Sequence, residues 1–112
     1  MKDIIMNPTA PSEKIIDCLQ VILDATASKN YELFTTVGDA GYKTSITQKM
    51  FDEVSDQLAS RLQKGYSINY FGELKQGNCQ IYLWKLSFED GGDEFVAHMT
   101  MNGDKVAGIF IE

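Results

Sequence analysis

The chain has 112 residues, 44% hydrophobic and 23% charged, which is the size and balance of one globular domain and not of a disordered segment. Its net charge of -6 argues against non-specific nucleic-acid binding, which needs clustered Lys and Arg. No apolar run approaches the roughly 18 residues of a membrane helix, and two cysteines are too few for a disulfide scaffold.

Residues 1 to 11 read as a short mobile lead-in to a single domain spanning 1–112. Ile4, Ile5 and Met6 are interrupted at once by Asn7 and Pro8, so no secretory signal is expected, and the expected compartment is the cytoplasm, with Cys18 and Cys79 reduced. Thr9 or Ser12 can cap a first helix, with Glu13 favourable at its start. Ile15, Ile16, Leu19, Ile22 and Leu23 follow at helical spacing, and Lys29 and Asn30 lie near the stop. Residues 30 to 46 contain Tyr31, Leu33, Phe34 and Val37, but Gly38, Asp39 and Gly41 break the pattern. A short helical turn followed by a loop or extended piece is expected there. Thr47 can cap the next helix, whose stripe is Met50, Phe51, Val54, Leu58 and Leu62. Asp52 and Glu53 lie early, Arg61 and Lys64 late, and Gly65 closes it.

Beyond Gly65 the hydrophobic period falls from about 3.6 to about 2. Strands are predicted over 66–75, 79–89, 94–101 and 105–112, separated by turns at 75–78, 90–93 and Asn102-Gly103. The fold class is therefore α+β, with N-terminal helices packed on a curved C-terminal antiparallel sheet.

Assuming tight hairpins, side chains sort onto two faces. A Gly77-Asn78 loop sets Phe71 opposite Trp84 and Asn69 opposite Leu86. A Gly91-Gly92 loop sets Trp84 opposite Met99, and an Asn102-Gly103 loop sets Phe95 opposite Phe110. One face then carries Phe71, Tyr82, Trp84, Leu86, Phe88, Phe95, Met99, Met101, Val106 and Phe110, and should lie under the helices. The other carries Tyr66, Ile68, Tyr70, Leu74, Ile81, Leu83, Val96, Ile109 and Ile111, with Lys85, Ser87, His98 and Thr100 among them. An apolar surface rimmed by polar groups marks an association site, so a homodimer through this outer face is expected, with Tyr70, Leu83, Lys85, His98 and Ile109 in the interface.

The segments NYELF, SITQKMFDEV, KGYSINYFGEL, IYLWKLSFEDGGDEFVAHMTM and NGDKVAGIFI, covering roughly residues 12–112, resemble the cystatin-like, nuclear transport factor two-like superfamily, including its small bacterial members. The resemblance implies a cone-like half-barrel, with a pocket at its open end. It also implies either a non-catalytic binding domain or a ketosteroid-isomerase-like or dehydratase-like enzyme, in many cases dimeric. It carries over no catalytic residue, because function resides in the site and not in the fold.

Asn69, Glu73, Tyr82 and Trp84 form the candidate pocket for a small apolar ligand. A carboxylate among aromatic rings would be biased toward its protonated form and fit for general acid–base work. A bland reading places Glu73 in solvent near a turn and gives Asn69 a backbone group to satisfy. His98 opposite Lys85, with Tyr70 beyond, forms a polar row that could take an anion, or simply a wet seam on the sheet. Asp90, Asp93 and Glu94 lack the spacing of a calcium loop, and Gly38-Asp39-Ala40-Gly41 is too short for a phosphate loop. Cys18 and Cys79 have no CxxC or adjacent His partner, so neither a metal nor a cofactor is expected. The leading reading is a non-enzymatic ligand-binding or protein-interaction domain, and the alternative is a small proton-transfer enzyme.

Overall fold

A computed structural model describes residues 11–112; the lead-in expected over 1–11 falls almost wholly outside them. The elements are α1 (Glu13–Ser28), α2 (Tyr31–Thr35), α3 (Ala40–Ser45), α4 (Gln48–Lys64), β1 (Tyr66–Gln76), β2 (Cys79–Phe88), β3 (Phe95–Asn102) and β4 (Lys105–Ile111). The strands form one antiparallel sheet in the order β1-β2-β3-β4, and helices pack on one face of it. The α+β architecture is as the change of period near residue 65 implies.

Each helix begins where a side chain supplies the acceptor that the first turn lacks. Ser12 Oγ accepts from the Ile15 N–H at 3.4 Å, and Thr47 Oγ1 from the Met50 N–H at 3.2 Å. α1 buries Ile15, Cys18, Leu19, Ile22 and Leu23. α4 buries Phe51, Ser55, Leu58, Ala59 and Leu62, so its core stripe is rotated from the expected one, and Met50 and Val54 stand half-exposed.

The stretch 30–46 holds two short helices where one turn and a loop were expected. Asn30 Oδ1 caps α2 by accepting from the Leu33 N–H, and Asp39 Oδ1 caps α3 by accepting from the Tyr42 N–H at 2.8 Å. Tyr42 is fully buried against Phe34, and its hydroxyl donates to the Phe34 carbonyl at 3.0 Å. Gly38 passes under that ring with no room for a Cβ, and forms a parallel bridge to Val106. The glycine that looked like a breaker in sequence is a point of close approach.

The register departs from the expected one in two ways, the first being shifts of two residues at two of the turns: the β3–β4 turn is Gly103-Asp104 and not Asn102-Gly103, which sets Met101 and not Met99 opposite Val106. The β2–β3 connection is wider than two residues, because Arg61 holds it open. The Arg61 guanidinium donates to Asp90 Oδ2 at 2.7 Å, to Asp90 Oδ1 at 3.1 Å and to the Asp93 carbonyl at 2.7 Å. Pairing therefore runs Tyr82↔Met99, Trp84↔Ala97 and Leu86↔Phe95. That is a slip of two residues, which leaves every side chain on its expected face.

The second departure is a bulge on each edge strand. Phe71 is the extra residue on β1, between Tyr70↔Trp84 and Gly72↔Leu83. Ala107 is the extra residue on β4, between Met101↔Val106 and Thr100↔Gly108. Each odd slip sends the far half of its strand to the opposite face. Tyr66, Ile68, Tyr70, Ile109 and Ile111 consequently share the helix-covered face, while Asn69, Phe71 and Phe110 belong to the outer one. Trp84 and Phe95 lie on the same, inner side.

Candidate functional site

On the inner face, Glu73 pairs with Tyr82 across the β1–β2 hairpin, two residues along β2 from Trp84. Trp84 is 2% exposed and packs between Tyr70 and Tyr82, with ring centroids 5.7 and 6.1 Å away. Asn69 does not join them. The Phe71 bulge turns it to the outer face, opposite Lys85. Tyr70, assigned to the outer face from sequence, takes the inner position instead. Its hydroxyl is buried without a hydrogen-bond partner among the described residues.

Glu73 is exposed and accepts a hydrogen bond from Gln80 Nε2 at 3.0 Å, and the Tyr82 hydroxyl donates to Gln80 Oε1 at 3.2 Å. Burial raises the pKa of the Tyr70 and Tyr82 phenols, and the neighbouring Glu73 carboxylate adds to both shifts. The arrangement is a polar chain at the rim of an aromatic core. Asn69 and Glu73 stand on opposite faces and do not converge as an acid–base pair.

The outer face is built across all four strands. One cross-strand row runs Leu74–Ile81–Thr100–Gly108, the next Gly72–Leu83–His98–Phe110, and the next Asn69–Lys85–Val96–Glu112. Of the expected interface residues, Leu83, Lys85 and His98 lie here. Tyr70 and Ile109 do not, for the bulge reason given above. Phe71, Leu74 and Phe110 are exposed large hydrophobics on this face. Two side chains in its middle have acidic neighbours: Lys85 Nζ is 3.9 Å from Glu94, and His98 Nε2 is 3.5 Å from Glu112. His98 also meets Phe110 edge-on, at 6.4 Å between centroids.

Sequence reasoning missed a third feature. An apolar groove of about 210 Å³ runs between α4 and β4, floored by Ile22 and Phe34 and walled by Met50, Val54, Ile109 and Phe110. The rotated stripe of α4 and the β4 bulge create it together. The Gly108 that marks that bulge was the available signal.

Elsewhere, Cys18 and Cys79 are both free, and burial raises the pKa of the Cys18 thiol. Among the described residues, no three of His, Cys, Asp and Glu gather as a metal-binding set, and no helix is long and apolar enough to cross a membrane.

No protein-family model matches the chain, and no curated protein matches it. A crystal structure of TerC co-crystallized with polyporic acid is similar at a TM-score of 0.46 and 11% identity, over 89% of this chain and 91% of that one.

Proposed function

We propose that this chain is a non-catalytic protein-interaction domain of the cystatin-like, nuclear transport factor two-like type, working in the cytoplasm as a homodimer joined through its outer sheet face. The observation that carries the reading is the composition of that face. Phe71, Leu74, Ile81, Leu83, Val96 and Phe110 share one surface of an acidic protein. A contiguous apolar patch rimmed by polar groups is the usual mark of association. Charge fits a second copy as partner. The chain carries a net charge of -6, yet the middle of this face is largely apolar and its Lys85 is offset by Glu94, so two copies can meet here with little like-charge repulsion.

Of ligand binding and protein interaction, the second is favoured by the state of the inner face. Trp84 and Tyr82 are core residues packed on their neighbours, and Glu73 faces solvent.

Light scattering tests the proposal. A dimer is expected at protein concentrations on the order of tens of micromolar, the range in which a standard-sized interface holds. Leu83→Glu should yield a monomer whose circular dichroism and melting are nearly unchanged. A wild-type monomer at those concentrations overturns the reading. Unfolding of Leu83→Glu would show that Leu83 belongs to the core.

A further inference from the structure

We infer that the free edge of β4, with the groove beside it, accepts an extended segment of a partner protein, apolar at alternate positions and flanked by basic residues. This surface shares Phe110 with the outer sheet face but otherwise lies apart from it, and the inference does not depend on the dimer.

The backbone gives the first reason. Val96 and Glu112 exchange both of their main-chain bonds, at 2.9 and 3.1 Å. Alternation along an antiparallel ladder makes His98 and Phe110 the next bonded pair, and turns the N–H and C=O of Ile109 and Ile111 away from β3. Among the described residues the chain covers this edge only at Val106, whose N–H donates to the Val37 carbonyl and whose carbonyl accepts from the Asp39 N–H, both at 2.9 Å. Beyond it, donors and acceptors two residues apart stand open, a spacing that only an extended backbone matches.

The lack of protection gives the second reason. Natural sheet edges are blunted by charge, proline or a bulge. The opposite edge, β1, carries Glu73 and Lys75 beside its bulge, whereas β4 has its bulge at Ala107 and beyond it, from Gly108 to Ile111, neither a charged residue nor a proline. Met50, Val54 and Phe110, three of the five exposed large hydrophobics, border this groove. An added strand would place alternate side chains between Ile109, Ile111 and the Met50–Val54 wall.

Charge selects the occupant. The chain carries a net charge of -6, so a second copy brings like charge to this edge, while a segment with lysines at its ends is attracted.

The test uses a fluorescein-labelled peptide, KKTVTVTVKK, titrated into the full chain and followed by anisotropy and by amide shifts. Saturable binding is expected, with the largest shifts at Ile109 and Ile111. Ile109→Pro removes an outward N–H without breaking a β3 bond, and should weaken binding at least about tenfold. Val54→Glu, on the exposed side of α4, should do the same and serves as a check where the proline disturbs folding. A peptide with glutamates in place of the lysines should bind at least about tenfold more weakly. Leu83→Glu should bind like wild type, which separates this inference from the outer-face dimer. Undiminished binding of a backbone N-methylated peptide, or by both Ile109→Pro and Val54→Glu, overturns the proposal. So does concentration-dependent protection of the Ile109 and Ile111 amides without peptide, which would identify a second copy as the occupant.

Discussion

The two faces of the sheet are built from similar residues and have opposite fates. Trp84, Leu86, Ala97 and Met99 on the inner face are almost fully buried, whereas Phe71, Leu74 and Phe110 on the outer face are exposed. Apolar content therefore does not decide which side the helices cover. β2 and β3 do, because they alternate without interruption and put their bulkiest residues on one side. The edge strands then conform to that choice by inserting one residue each.

The sharpest way to break the comparison is Trp84→Ala. Truncating a fully packed aromatic costs about 3–5 kcal/mol, enough to threaten a domain of this size. Urea denaturation should show a large fall in midpoint at constant slope. A loss under about 1 kcal/mol would mean that the inner face is not the closely packed one.

Gly38→Ala comes next. A Cβ at this position overlaps the Tyr42 ring, which is fully buried and hydrogen-bonded to the Phe34 carbonyl. Overpacking of this kind costs about 1–3 kcal/mol. The double variant Gly38→Ala with Tyr42→Leu should show a non-additive, smaller loss, whereas simple additivity would contradict the close approach.

How far the fold could be read beforehand follows from the same contrast. The helices, the meander and the inward Trp84 rest on periodicities of 3.6 and 2, which survive in any context. The Gly77-Asn78 hairpin pairs Glu73 with Tyr82 as expected, and only beyond Phe71 does the register slip. Both slips occur beside a glycine within a strand, Gly72 and Gly108, and a glycine there is a bulge signal. Gly72, at φ +148°, adopts a backbone conformation that few other residues tolerate. Reading those glycines as bulges would have moved Tyr70 and Ile109 inward, and Asn69 and Phe110 outward. α3 was hidden for another reason. Six residues carry too little periodicity to register, and its stability comes from the Asp39 cap and the Tyr42 anchor, which are tertiary facts.

Acid should loosen the inner face from one side. Arg61 lies 3.9 Å over the Phe88 ring and clasps Asp90, closing the lower end of the core. That guanidinium first, and the Gly92 N–H second, lower the Asp90 pKa to about 2. The folded state thus holds the carboxylate more strongly than the unfolded chain does. The resulting stability is complete above the ordinary Asp range and is lost as the pH falls toward about 2. Asp39 and Asp104 are shifted in the same direction, by the Tyr42 N–H and by Lys14. Urea midpoints measured between about pH 5 and pH 2.5 should decline in the wild type. They should decline less in Arg61→Met, which keeps the cover over Phe88 and removes the clasp. Parallel profiles would show that the clasp contributes nothing to the pH dependence.

The smallest expected effect falls on the outer face and sharpens the contrast most. Phe71 is the bulged residue of β1 and is 53% exposed. Phe71→Ser should therefore change the stability of the isolated chain by no more than about 0.5 kcal/mol, as an exposed substitution away from any cap or packed contact does. If the outer face joins two copies, the same substitution should weaken the dimer, so the melting temperature would depend on protein concentration in the wild type and lose that dependence in the variant. Melting over a hundredfold range of concentration reads both quantities at once. A large drop at every concentration would place Phe71 in the core, and with it the bulge that assigns the faces would be wrong.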